Sequence, residues 1–326
     1  MKRRALLIAS GAWLAAAATH SFAQTPKAHR RIAVLLPGTE EGYRRSLDSF
    51  RAELRNLGHV EGGDVSIDVR WANDRSEQLG SLAAEVFARN PTVVLTASSA
   101  AVRALQKATS TIPIVFGGST DPVALGFVKS LARPGGNITG VTVLTDLLPK
   151  LVELTRQALP SARRLAYPVH ERDPAHKFTL SQFGPAARKF DFDPLLVPFA
   201  DAGDLGSAFR ELVERKADIL LVPILGFFNS QMNQLVERAL KARLPMVSPQ
   251  PTYAEAGALL SYGTHPEGNW RRAAALVDKI LRGAKPADLP VEEPERIQLI
   301  VNMKTAKAIG VTLSPVTLLR ADKVIE

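Results

Sequence analysis

The sequence predicts an α/β protein built from two Rossmann-like lobes, each with a parallel sheet, joined by a multi-strand hinge. Short apolar runs alternate with amphipathic segments of helical spacing, the pattern of a parallel sheet covered by helices on both faces. The alternation runs from about residue 31 to residue 143 and begins again near residue 147. Loops are short, and no Gly- or Ser-rich linker parts the halves, so the lobes are expected to be close neighbours with several chain crossings.

The first 23 residues stand outside this pattern. Lys2, Arg3 and Arg4 form a basic start, residues 5–18 a short apolar stretch, and Ser21-Phe22-Ala23 a small-x-small cleavage motif. Together these read as a cleavable secretory signal, with cleavage after Ala23 and a periplasmic destination. The apolar stretch is short for a membrane span, which argues against a retained anchor. Arg3-Arg4 leaves both the general and the twin-arginine export routes open.

In the first lobe, residues 31–36 (RIAVLL) read as a strand ended by Pro37-Gly38-Thr39. A helix over residues 43–57 then repeats Leu47, Phe50, Leu54 and Leu57 at spacings of three and four, with Gly58 as its stop. Residues 65–71 (VSIDVRW) alternate as a strand, 76–89 are helical, 91–96 (PTVVLT) form a buried strand, and Ser98-Ser99 lead into a helix over 100–108. The segment 112–143 closes the lobe. It is expected to contain a buried strand over 112–116, a loop at Gly117-Gly118-Ser119-Thr120, a helix capped by Asp121 with Pro122 at its first position, a Gly135-Gly136 turn and a second strand.

The second lobe repeats the scheme. A helix over 147–158, a strand over 164–169, a helix over 178–190 interrupted at Gly184-Pro185, a strand over 195–199 and a helix over 205–216 come first. A strand at 218–223 (DILLVP), a helix over 230–242, and strands at 245–248 and 259–262 follow. The tail adds an amphipathic helix over 270–282, a proline-bounded connection over 286–290, a strand over 297–302 and two short helices. The domain division predicted is a signal peptide at 1–23, lobe one over 24–143 with about 263–284 returning to it, and lobe two over 144–262 with about 285–326.

Composition narrows the function. The chain has 326 residues, 46% hydrophobic and 22% charged, enough to bury a sizeable core. It has no cysteine, which excludes disulfides, thiol nucleophiles and Cys-ligated zinc. Of the net charge of +9, three positive charges lie in the leader and the rest are spread along the chain, so a nucleic-acid surface is not expected. His170, His176 and His265 have no metal-ligand spacing, and neither a G-x-S-x-G elbow nor a P-loop occurs, so the chain is expected to be neither metal-binding nor an enzyme and to need no cofactor.

Four segments carry a resemblance that spans the chain after its leader. They are residues 58–72 (GHVEGGDVSIDVRWA), 111–141 (TIPIVFGGSTDPVALGFVKSLARPGGNITGV), 257–264 (GALLSYGT) and 271–310, with the terminal RADKVIE fitting as well. The sequence resembles the bacterial ABC-transporter substrate-binding proteins of the tryptophan/tyrosine type. That resemblance implies the type I periplasmic-binding-protein fold and a monomeric receptor that delivers a small-molecule ligand to an ABC permease in the inner membrane. One departure stands out. The family usually carries an Asn-Pro-Asn-like loop after the first strand of lobe two, where this chain reads Tyr167-Pro168-Val169-His170.

In such a fold the ligand lies where strands run into helix N-termini. Ser98 and Ser99 offer hydroxyls and backbone N–H groups to a carboxylate, or serve only as helix caps. Gly118 lets a ligand approach the backbone, with Ser119 beside it, or merely satisfies a turn. Asp121 reads as a cap or as the partner of a ligand ammonium. Thr39, in the loop after the first strand, is the third candidate edge of lobe one. In lobe two the matching edges are Tyr167, Phe227, Phe228 and Ser248; the two phenylalanines suit stacking on an aromatic ligand or core packing equally. The expected ligand is a small carboxylate, foremost an amino acid with an aromatic or branched side chain. The competing reading is a sensor that presents its closed form to a membrane signalling receptor.

Overall fold

The computed structural model of the protein describes residues 29–143, 147–170, 176–199, 202–294 and 296–326. The predicted leader lies outside these residues. The first sheet has five parallel strands in the order β2-β1-β3-β4-β5: β1 Arg30–Leu36, β2 Val65–Trp71, β3 Val93–Thr96, β4 Ile114–Thr120 and β5 Ile138–Val143. Its connecting helices are α1 (Glu40–Asn56), α2 (Leu79–Ala88) and α3 (Ser99–Ala108). Side chains alternate across β1, so one strand serves two cores. Ile32, Val34 and Leu36 pack with α1 on one face, and Ala33 and Leu35 pack with α2 and α3 on the other.

The second sheet holds β6 (Arg164–Val169), β7 (Asp193–Pro198), β8 (Ile219–Leu221), β9 (Met246–Ser248), β10 (Leu260–Gly263), β11 (Gln298–Asn302) and β12 (Lys323–Ile325). They lie in the order β12-β11-β10-β9-β8-β6-β7, all pairs parallel except β10 with β11. The helices of this half are α4 (Leu147–Ala158), α5 (His176–Lys189), α6 (Leu205–Glu214), α7 (Gly226–Ser230), α8 (Met232–Lys241), α9 (Pro251–Ala256), α11 (Met303–Ile309) and α12 (Pro315–Arg320), while α10 (Pro266–Leu281) lies between α9 and α11 in the chain. α5 runs unbroken through Pro185 rather than stopping there.

The two-lobed α/β architecture is therefore as the sequence predicts, with three local corrections. β4 continues through Gly117 and Gly118 to Thr120, with a register shift between Phe116 and Ser119, so the expected loop is a bulged strand end. No helix follows Asp121. Asp121 accepts a hydrogen bond from the Ala124 N–H at 3.0 Å, but the turn closes at once at Gly126, whose φ of +68° reverses the chain.

The third correction concerns the tail. α10 returns to the first lobe, where its Trp270, Ala273, Ala274 and Val277 join the core of β1 and α1. The return extends further than expected. Leu289 O accepts from Thr139 Oγ1 at 2.8 Å, and Glu292 pairs with β5 through Glu292 N–H to Gly140 O and Thr142 N–H to Glu292 O, both 2.9 Å. The chain thus passes between the sheets after β5, after β10 and after Glu292.

Candidate functional site

In both sheets the strand order reverses beside the first strand of the lobe, between β1 and β3 and between β6 and β8. Such switch points open a crevice at the C-terminal strand ends. A cavity of about 570 Å³ lies there, bounded by the ends of β1, β3 and β4, the starts of α1 and α10, and the α7–α8 and α9 segments of the second lobe.

The first-lobe wall is built from backbone and hydroxyls. Thr39 caps α1, its Oγ1 accepting from the Gly42 N–H at 3.3 Å. Ser98 caps α3 through Oγ and the Ala101 N–H, and its own N–H donates to Gly118 O at 3.0 Å, which ties the end of β3 to the bulge of β4. That position forces Ser98 to φ +73°, a strained conformation for a residue with a Cβ. Ser99 Oγ lies 3.3 Å from Ser119 Oγ, and both residues are buried at the cavity edge. Gly117 makes room for the aromatic floor: a Cβ there would stand 3.1 Å from Trp270 Nε1. Trp270 in turn meets Phe50 edge-on at 6.4 Å and Tyr43 at 6.1 Å.

Thr39, Ser98, Ser99, Gly118 and Ser119 thus come together on the cavity, and the other five candidates do not. Asp121 sits beyond the end of β4 as a turn cap. Tyr167 is 1% exposed and stacked on Phe183 with centroids 4.4 Å apart, because its place on β6 points it into the core beneath α4 and α5. Phe227 stacks on His170 at 4.5 Å, and Phe228 packs against Phe199 at 5.7 Å. Helical geometry explains this, since α7 shows Gly226 and Asn229, three residues apart, to the cavity and turns the residues between them inward. Ser248 is fully buried, and its Oγ accepts from the Gln250 N–H at 3.3 Å.

The second-lobe wall combines Ile224, Leu225 and Gly226 of the loop after β8 with polar residues that were not among the sequence candidates. Asn229, Gln250, Thr252 and Glu255 line the cavity from α7 and α9. Tyr253 Oη donates to Phe228 O at 2.7 Å and locks α9 to α7, and complete burial pushes the phenol well above its usual range. At the mouth Arg45 of α1 pairs with Glu267 at 2.9 Å and with Glu255 of the second lobe at 3.6 Å. Burial works to raise the Glu267 carboxyl, but a hydrogen bond from His265 and the charge of Arg45 outweigh it and hold the group below its ordinary range. The only sequence signal for these residues was their place after β8 and β9, which does not say which side chains turn outward.

The lobes also touch each other directly. Gln231 Nε2 donates to Asp74 Oδ2 at 2.9 Å, and Ser230 also hydrogen-bonds that carboxyl. Burial dominates and raises the Asp74 pKa despite these bonds. Among the described residues no group of three or more His, Cys, Asp or Glu could hold a metal ion, and no helix is long and apolar enough to cross a membrane.

Comparison with known proteins is consistent along almost the whole described chain. The family model for ABC transporter substrate binding protein matches residues 31–325. A curated tyrosine-binding protein of Clostridioides difficile (strain R20291) is 26% identical over 260 residues, covering 80% of this chain and 75% of that protein. A conserved domain protein of Vibrio cholerae superposes with a TM-score of 0.85 at 25% identity, over 91% of this chain and 99% of that one. The ABC domain solved with L-Trp from Streptococcus pneumonia superposes with a TM-score of 0.84 at 22% identity, over 91% and 100%.

Proposed function

Because this chain belongs to the ABC transporter substrate-binding protein family, we propose that it is an extracytoplasmic receptor that binds a small carboxylate-bearing solute, foremost an amino acid, and delivers it to an inner-membrane permease. The observation that carries the reading is the first-lobe wall. Ser98, Ser99 and Ser119 surround the N-terminus of α3 at the switch point of the sheet, where hydroxyls, backbone N–H groups and the helix dipole all favour an anion. Trp270 on the floor of the same cavity suits an aromatic or branched side chain. A tyrosine-binding relative and a structural neighbour solved with L-Trp support the same ligand class. Both walls belong to one chain, so a monomer suffices for binding, and closure of the lobes supplies the form a permease would recognise.

Thermal unfolding tests the ligand. Purified protein is melted alone and with L-tryptophan, L-tyrosine, L-leucine or benzoate. A ligand that binds only the folded form raises the midpoint with its concentration. We expect a rise with at least one of the amino acids; unchanged midpoints with all four would overturn the reading.

A further inference from the structure

The second-lobe wall carries chemistry opposite to that of the first. Asn229 Oδ1, Gln250 Oε1 and Thr252 Oγ1 are buried, belong to residues that line the cavity and have no hydrogen-bond partner among the described residues. Gln250 and Thr252 are each only 9% exposed. Buried polar atoms are nearly always paired, so three unpaired atoms on one face of one cavity call for a ligand that pairs them. Two of the three are amide oxygens, which accept and cannot donate. Two carboxylates that line the same cavity, Glu255 and Glu267, share Arg45 as an ion-pair partner at the mouth. The wall therefore complements N–H donors rather than a second anion.

Its position matters as much as its chemistry. Gly226 lies directly against the α3 cap, where a Cβ would stand 3.3 Å from Ser98 Cβ. Asn229 follows three residues later in α7, so it is displaced by about one helical turn, roughly 5 Å, from the carboxylate half-site. An amino group on the carbon next to a carboxylate falls within that reach.

Resting on the carboxylate reading above, we propose that Asn229, Gln250 and Thr252 form a donor-reading half-site that selects zwitterionic α-amino acids over plain carboxylates of the same shape. The first lobe takes the carboxylate, and closure brings the second lobe onto the ammonium. A ligand without the ammonium leaves the wall unpaired in the closed form, and the energetic penalty of buried unpaired acceptors then appears as lost affinity.

Titration calorimetry on the purified protein tests this with matched pairs: L-tryptophan against 3-(indol-3-yl)propionate, and L-tyrosine against 3-(4-hydroxyphenyl)propionate. We expect the amino acid to bind at least about tenfold more tightly than its des-amino partner, the scale of one lost charge-assisted hydrogen bond. Replacing Gln250→Leu together with Asn229→Leu should narrow that ratio, mainly by weakening the amino acid. Equal affinities within a pair overturn the half-site and leave the carboxylate reading standing. A wild-type preference that the double variant fully retains also overturns the half-site, because the selection then lies elsewhere. If neither member of either pair binds, the half-site is overturned, and the carboxylate reading falls with it only if the L-leucine and benzoate melts are also unchanged. The wild-type comparison needs no variant to fold.

Discussion

Ser98 and Ser99 are adjacent and have different jobs. Ser98 is held at φ +73° by its N–H to Gly118 O, its cap to Ala101 and its carbonyl, which accepts from the Val102 N–H at 3.2 Å. Ser99 makes no cap; its hydroxyl faces Ser119 across 3.3 Å at the cavity edge. The Ser98 hydroxyl is thus committed to the helix end, while that of Ser99 is left at the cavity edge. Ser98→Ala should cost about 1 kcal/mol, the usual loss for an N-cap, and lower the melting midpoint by about 2 °C. Ser99→Ala should leave the midpoint within about 1 °C but weaken amino-acid binding about tenfold, as expected for one hydrogen bond to a charged group. Melting curves and titration calorimetry on both variants check the split. Equal affinity in wild type and Ser99→Ala would show that this hydroxyl does not touch the ligand.

Among the elements, β4 and β5 make the sharpest demand on sequence. Gly140 on β5 lies under Phe116, and a Cβ there would come within 2.3 Å of Phe116 O and 2.5 Å of its ring. Gly140→Ala should lower stability by about 2 kcal/mol or more through overpacking against backbone that cannot yield. Gly136→Ala, whose Cβ would meet nothing within 4 Å, is the control in the same thermal melt. An equally stable Gly140→Ala would contradict the close packing of these strands. The strands and long helices were legible because burial imposes period two or period 3.6 on the sequence. Asp121-Pro122 has the form of a helix start, yet the chain reverses at Gly126, since a favourable cap does not ensure that the following turns continue. The cavity was half legible. Thr39, Ser98 and Ser99 follow strand ends and Gly118 and Ser119 sit in the bulged end of β4, whereas Asn229, Gln250 and Thr252 line the cavity only because of how α7 and α9 are rotated on their core. Phe227 and Phe228 show the same limit from the other side, as aromatic residues at the right loop turned away by that rotation.

At the scale of the whole molecule, the contacts that span the lobes define a closed state. Asp74 reaches Gln231 and Ser230, Arg45 reaches Glu255, and Gly38 sits so near Ser230 that a Cβ would meet its Cβ at 3.0 Å. Separating the lobes breaks all of these and returns Asp74 to water. Burial raises the Asp74 pKa in the closed state above its ordinary 3.8, so closing favours the protonated carboxyl. Linkage then fixes the sign: the state with the higher pKa binds more protons, and the closed form gains on the open form as pH falls through the raised value. The effect is confined to pH values at and above the ordinary carboxyl range. Glu267 is shifted the other way: burial works to raise it, but His265 and Arg45 hold it below its ordinary range. Small-angle scattering on ligand-free protein should show the radius of gyration falling as pH is lowered from 7 toward 4.5. Asp74→Asn should abolish that dependence while keeping an oxygen for Gln231 to bond, and Asp74→Ala should give a larger radius at every pH. An unchanged pH response in Asp74→Asn would assign the closure equilibrium to other groups and leave Asp74 as a contact without a titrating role.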